Sequence, residues 1–206
     1  MLTKLKYPFQ PSGHKSIMLY FLFLALITVH VVSFLADLMR GRYTVCEIKV
    51  AVTLMLAGLF YSYIRNLNVS RYALLMILVL EAELTLIVLE NDFLHYATVY
   101  PMLVTFGIFF FFPMKKALWL TLAHHLYWLG MFIYGYHHYH EHPILHDPTA
   151  LTGMVIAYFF MVLFGLLYNI SSETTYRKLE RSDRQKGILL SEIHHRIKNN
   201  LNMMAS

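Results

Sequence analysis

Six long runs of apolar residues, separated by short polar breaks, organise this chain. They cover Ser16 to Met39, Ile48 to Ile64, Tyr72 to Leu89, Leu94 to Phe112, Ala117 to Tyr136 and Ala150 to Ile170. A helix rising ~1.5 Å per residue crosses a hydrocarbon core of ~30 Å in about 20 residues, so each run is read as a transmembrane helix. The fourth holds Pro101, which a lipid-embedded helix tolerates when neighbours satisfy the freed carbonyl. A polar segment precedes the first run and no small-residue cleavage site follows it, which argues against a removable signal peptide. After Ile170 the pattern becomes polar but stays compatible with a helix. The expected fold is an all-α membrane protein, with six transmembrane helices followed by a cytoplasmic coiled-coil or dimerisation helix. Its expected parts are a cytoplasmic segment over 1–15, the bundle over 16–170, a linker helix over 171–190 and the start of a dimerisation domain over 191–206.

Composition agrees with that reading. The 206 residues are 58% hydrophobic and 14% charged, whereas a soluble domain is about half apolar and about a quarter charged. The single cysteine, Cys46, excludes an internal disulfide and any Cys-rich zinc or iron–sulfur site. It also lacks the neighbouring buried histidine that a thiolate copper site would want. The formal net charge is +5, but the cations sit beside the spans and in the tail. There they serve topology and contact with the lipid bilayer, and no nucleic-acid partner is expected.

Lys and Arg bias gives the orientation. Lys4, Lys6 and Lys15 precede the first span; Arg65 and Arg71 flank the second connection; Lys115 and Lys116 lie in the fourth; seven more cations occupy the tail. The third connection carries Glu90, Asp92 and His95, and the fifth, "HHYHEHPILHDP", has neither Lys nor Arg. Only Arg40 and Arg42 dissent. A multi-pass protein of a bacterial-type inner membrane with both termini cytoplasmic fits best.

Ionisable residues inside spans are costly and mark functional candidates. His30, Glu81, Glu83, His124 and His125 all fall near the middle of their spans, within about two helical turns of one plane. Glu81 and Glu83 differ by about 200° around their helix, and His124 and His125 by about 100°, so they cannot all face one point. A transition-metal site, a two-histidine haem and a polar pocket for a small ligand or proton each suit such a layer, as does a set of interhelical hydrogen bonds that glue the bundle. The Glu-x-x-His spacing of di-iron bundles is absent, and the sixth span has no lysine for a retinal-type Schiff base. A second candidate is the outer loop, with His137, His138, His140, His142 and His146 beside Glu141 and Asp147. Dense imidazole with carboxylate suits Zn²⁺, Cu²⁺ or Ni²⁺. His138 and His142 would share a face if the fifth helix ran on to His142; a solvated, Tyr-rich interfacial loop is the plain alternative.

The tail carries its own pattern. With Leu190 at heptad position a, Ile193 falls at d, Ile197 at a, Asn200 at d and Met204 at a; Tyr176 and Leu179 extend the seam upstream, weakened at Asp183 and Lys186. His194 is then at e and His195 at f, furthest from the seam, with Asn199 one turn on along the same face. "EIHHRIKNNL" resembles the phosphoacceptor box of sensor histidine kinases, in the HWE-like branch and relatives with an H-R-[IV]-K-N core. The resemblance covers about sixteen residues, Leu190 to Ser206, and implies that His195 accepts the γ-phosphoryl group of ATP, with Glu192, Arg196, Lys198 and Asn199 as its surround. It further implies a homodimer, a response-regulator partner, and ATP with Mg²⁺ held by a domain these residues do not contain. The chain alone is therefore expected to be inactive as a kinase. The expected function is the membrane sensor region of a two-component histidine kinase, responding to an unknown small ligand or metal ion. Alternatives from other classes are a membrane metal or haem enzyme and a small ion-coupled transporter, although the spans show no inverted repeat.

Overall fold

A computed structural model describes residues 14–91, 93, 100–139 and 146–204, and every regular element among them is an α-helix. These are α1 (His14–Met39), α2 (Tyr43–Asn66), α3 (Val69–Glu90), α4 (Tyr100–Phe111), α5 (Met114–His138) and α6 (Pro148–Met204). Each apolar run of the sequence thus has its helix. Four of them, α1, α2, α3 and α6, are long and apolar enough to cross a membrane by that measure alone. α4 is described over 12 residues, and residues 94–99 of its predicted span lie outside the described ones. α5 has 25 residues, but its His, Tyr and Trp content lowers its apolar character. Several long apolar helices are what a membrane-spanning protein requires.

Local chemistry explains the turns. Between α1 and α2 the chain reverses over Arg40, Gly41 and Arg42, with Gly41 at φ +71, a left-handed conformation that glycine adopts without steric cost. α2 ends at Leu67, whose N–H bonds the Tyr63 carbonyl. Asn68 follows at once and caps α3, its Oδ1 accepting from the Arg71 N–H at 3.1 Å, which satisfies one of the orphan donors of the first turn. Pro101 is the second residue of α4 as described. Pro113 opens α5.

Packing follows the distribution of apolar faces. α1 lies on α2 and touches α3; α2 packs on α3; α4 is enclosed by α3, α5 and α6. Apolar around its circumference, α4 has the most central place, with Met102, Val104, Ile108, Phe109, Phe110 and Phe111 all buried. Gly165 of α6 lets that helix approach closely, since a Cβ there would stand 2.5 Å from the Phe109 ring. α5 is two-faced in the sense a bilayer favours. Leu118, Leu122, Leu126, Leu129 and Ile133 are exposed along one stripe, while Thr121, His124 and Trp128 turn inward.

Polar clamps lie at both ends of the α1–α2 hairpin. Ser16 hydrogen-bonds Tyr63 at one end, and Lys49 pairs with the buried Asp37 at the other. Asn169 of α6 donates through Nδ2 to the carbonyls of Phe109, at 2.6 Å, and Phe112, at 2.8 Å. It thereby ties the end of α4 to the helix that becomes the tail. α6 itself runs unbroken for 57 residues, about 85 Å at 1.5 Å per residue. The expected span, linker and dimerisation segments are therefore one helix, and Gly187 does not interrupt it.

Candidate functional site

The mid-span layer resolves into two separate His–Glu pairs on opposite faces of α3. The roughly 200° between Glu81 and Glu83 sends one carboxylate towards α1 and the other towards α5. His30 Nε2 meets Glu83 Oε2 at 2.7 Å, and the side chains are 8% and 7% exposed, so the pair is shielded from any surrounding medium. His30 Nδ1 donates to the Leu26 carbonyl at 2.7 Å and must therefore carry hydrogen. One further proton is then shared between Nε2 and the carboxylate. Imidazolium with carboxylate and imidazole with carboxylic acid are both neutral overall. A neutral, fully partnered pair suits the middle of a bundle.

The second pair is built differently. His124 Nδ1 bonds Glu81 Oε1 at 2.6 Å, and Trp128, one turn further along α5, donates its indole N–H to Glu81 Oε2 at 2.7 Å. One turn from Glu81 on α3, Thr85 Oγ1 hydrogen-bonds Tyr127 Oη at 2.6 Å. His125 turns towards α6: its Nδ1 donates to the Thr121 carbonyl at 2.7 Å, and its ring lies edge-on to Tyr158 with centroids 5.1 Å apart. The rings of His124 and His125 are 5.3 Å apart and nearly perpendicular. His124 Nε2, His125 Nε2, Tyr158 Oη and Thr121 Oγ1, with Thr105 Oγ1 on α4, are buried and have no hydrogen-bond partner among the described residues. Buried polar atoms are nearly always partnered, so a group of orphans on adjoining helices calls for explanation.

The structure therefore brings the five expected residues together only in part, as His30 with Glu83 and His124 with Glu81. Trp128, Tyr158, Thr121, Asn169 and the Asp37–Lys49 pair were not singled out from sequence. Spacing gives a signal for Trp128 and Thr121, which share the inward face of α5 with His124. Among the described residues no three of His, Cys, Asp and Glu gather as a closed metal cluster would require.

In the outer loop, His140 and His142 lie outside the described residues. α5 stops at His138, because Tyr139 leaves helical geometry and bonds back to the Gly135 carbonyl. The conditional pairing of His138 with His142 falls on a residue outside the described ones. His138 stacks on Tyr134 at 4.1 Å, and His146 lies against Tyr136 at 4.5 Å.

On the tail, His194 and His195 are exposed, and Arg196 pairs with Glu192 one turn back. Ile188, Ser191, Glu192, His195 and Arg196 lie together on one exposed face of the helix. Asn199 continues the helix beyond them. Tyr176, Leu179, Leu190, Ile193 and Ile197 are all at least 41% exposed and form an apolar stripe along the tail. No family model, curated protein or solved structure matches the chain.

Proposed function

We propose that this chain is the transmembrane input region and phosphoacceptor helix of a two-component sensor histidine kinase. The observation that carries the reading is the continuity of α6. One unbroken helix links the polar layer to the exposed His195. From Tyr158 to His195 the separation is roughly 55 Å at 1.5 Å per residue. A shift or rotation of α6 against α4 and α5 would move His195 by a comparable amount, the shear type of transition that packed helices support.

In this reading all six helices span the inner membrane and both ends face the cytoplasm. Supporting it, Lys15 lies within electrostatic reach of Glu173, and Ser16 bonds Tyr63 at the end of α2. Asn169 bonds Phe112 beside Lys115 and Lys116. One end of the bundle thus gathers Lys15, Arg65, Lys115, Lys116 and Arg177, the cationic side expected to face inward. The lipid-facing stripe of α5 supports counting it as a span.

The exposed seam of α6 would be covered by the same seam of a second copy, giving a parallel coiled coil with His195 on its outer surface. A separate domain holding ATP and Mg²⁺ would then reach that histidine. An imidazole nitrogen attacks the γ-phosphorus, the bond to the β-phosphate oxygen breaks, ADP leaves and the ring gives up its N–H proton. A response regulator later takes the phosphoryl group. The transporter alternative draws no support from the carboxylates, since His30, His124 and Trp128 already hold both.

The test is labelling of the native protein in its own membranes with γ-phosphate-labelled ATP. An acid-labile, base-stable phosphoprotein is expected, absent from His195→Gln and retained in His194→Gln. Labelling that survives His195→Gln would overturn the assignment.

A further inference from the structure

We infer that the orphaned imidazole nitrogens of His124 and His125, beside Tyr158, form a binding site for one first-row transition-metal cation inside the bundle, with Cu²⁺ the tightest binder. The inference stands on the geometry of the α3–α5–α6 interface and does not require the kinase reading.

Hydrogen counting carries most of the argument. His125 Nδ1 faces a backbone carbonyl, which only accepts, so its proton is fixed there. Nε2 is then either a bare lone pair or a second N–H that makes the ring cationic, and in both states it is buried without a partner. His124 Nδ1 faces a carboxylate that also accepts from Trp128. With Nδ1–H donated to an ionised Glu81, Nε2 is bare and the pair carries a net negative charge, uncompensated within a membrane bundle. With a proton on Nε2 instead, that N–H is a buried donor facing no acceptor. A water could accept from that N–H or fill a lone pair, whereas a divalent cation takes both lone pairs and, with one hydroxide or other small anion in an open position, balances the Glu81 charge.

The anchoring also matches what metal-binding histidines use. A ligating imidazole commonly donates its other N–H to a carboxylate or backbone carbonyl, which fixes its tautomer and orientation and raises its basicity. His124 has the carboxylate and His125 the carbonyl. His30 has the opposite character, since both its nitrogens are occupied. Two neutral imidazoles suit Cu²⁺, Zn²⁺ or Ni²⁺, and the Irving–Williams order places Cu²⁺ first. Two imidazoles fall short of a closed four-ligand cage and leave open positions. Tyr158, whose hydroxyl is also buried without a partner among the described residues, has its ring 5.1 Å from that of His125, and Glu81 lies within electrostatic reach of it. Tyr158 belongs to α6, so occupation of the site would bear directly on the helix that continues into the tail.

The experiment uses the full chain purified in detergent, stripped with chelator and re-equilibrated with Cu²⁺ or Zn²⁺. Bound metal is counted by elemental analysis, and Cu²⁺ is examined by electron paramagnetic resonance for nitrogen couplings. The five outer-loop histidines, His137, His138, His140, His142 and His146, are replaced together by Asn to remove surface binding. That variant is expected to keep one tightly bound Cu²⁺ with two coupled nitrogens. Adding His125→Leu, which leaves the Glu81–His124 bond in place, removes the tight site while size-exclusion behaviour stays unchanged. Adding Glu81→Gln instead lowers affinity about 10- to 100-fold through loss of the carboxylate anchor. Absence of tight metal from the loop variant, or metal retained at full affinity after His125→Leu, would overturn the proposal.

Discussion

The His30–Glu83 pair offers the sharpest test of how this bundle is held together. The residues are 53 positions apart, so their contact exists only if α1 and α3 pack as described. Replacing His30 with Leu strands the Glu83 carboxyl, and replacing Glu83 with Leu strands His30 Nε2. A buried polar atom left without its partner costs about 1–3 kcal/mol, rising towards about 3–5 kcal/mol where the remaining group stays charged. Replacing both removes the two polar groups together, and such apolar exchanges are often neutral or stabilising. The coupling energy of the double-mutant cycle is therefore expected to be at least about 2 kcal/mol, towards the sum of the two single losses. This is well above the ~0.6 kcal/mol average measured for ordinary interhelical hydrogen bonds in membranes. The assay is reversible unfolding in mixed micelles by a denaturing detergent, followed by helix circular dichroism for wild type, both singles and the double variant. A coupling at or below about 0.6 kcal/mol would refute the reading, because the pair would then be one hydrogen bond among many.

Asn169→Ala should leave the Phe109 and Phe112 carbonyls without their shared donor, costing about 1–3 kcal/mol in the same unfolding assay; a loss under about 0.5 kcal/mol would mean that another group supplies the bonds. Gly187→Ala should raise the helicity of the tail by about 0.5–1 kcal/mol, since nothing lies within 4 Å of a Cβ at that position. Slower amide exchange around Ile188 and Leu189 is the expected readout, and unchanged exchange would show that the local glycine penalty is not limiting there.

Much of the candidate site was legible beforehand because depth in a membrane helix can be counted along the chain. His30, Glu81, Glu83, His124 and His125 fall in one layer by residue number alone, and the two glutamates must face opposite sides because two residues turn a helix by about 200°. What counting could not supply was which neighbour stands on each side. Tyr158 and Trp128 read as ordinary aromatic positions within apolar runs until α5 is rotated against α3 and α6. Asn169 read as a polar residue near a span end until α4 lay beside it.

The sequence alone determined that the chain is helical, that its helices are apolar over bilayer lengths, and that polar groups cluster at one depth, because these properties follow from local composition and a constant rise per residue. The heptad spacing of Leu190, Ile193 and Ile197 also puts His195 off the apolar stripe of the tail helix. Only the tertiary structure decided how the layer divides. His30 uses both its ring nitrogens, on Glu83 and on the Leu26 carbonyl, whereas His124 and His125 each leave a buried Nε2 without a partner among the described residues. That difference depends on the rotation and neighbours of whole helices, which no local pattern encodes, and it separates a structural pair from a site that can hold something.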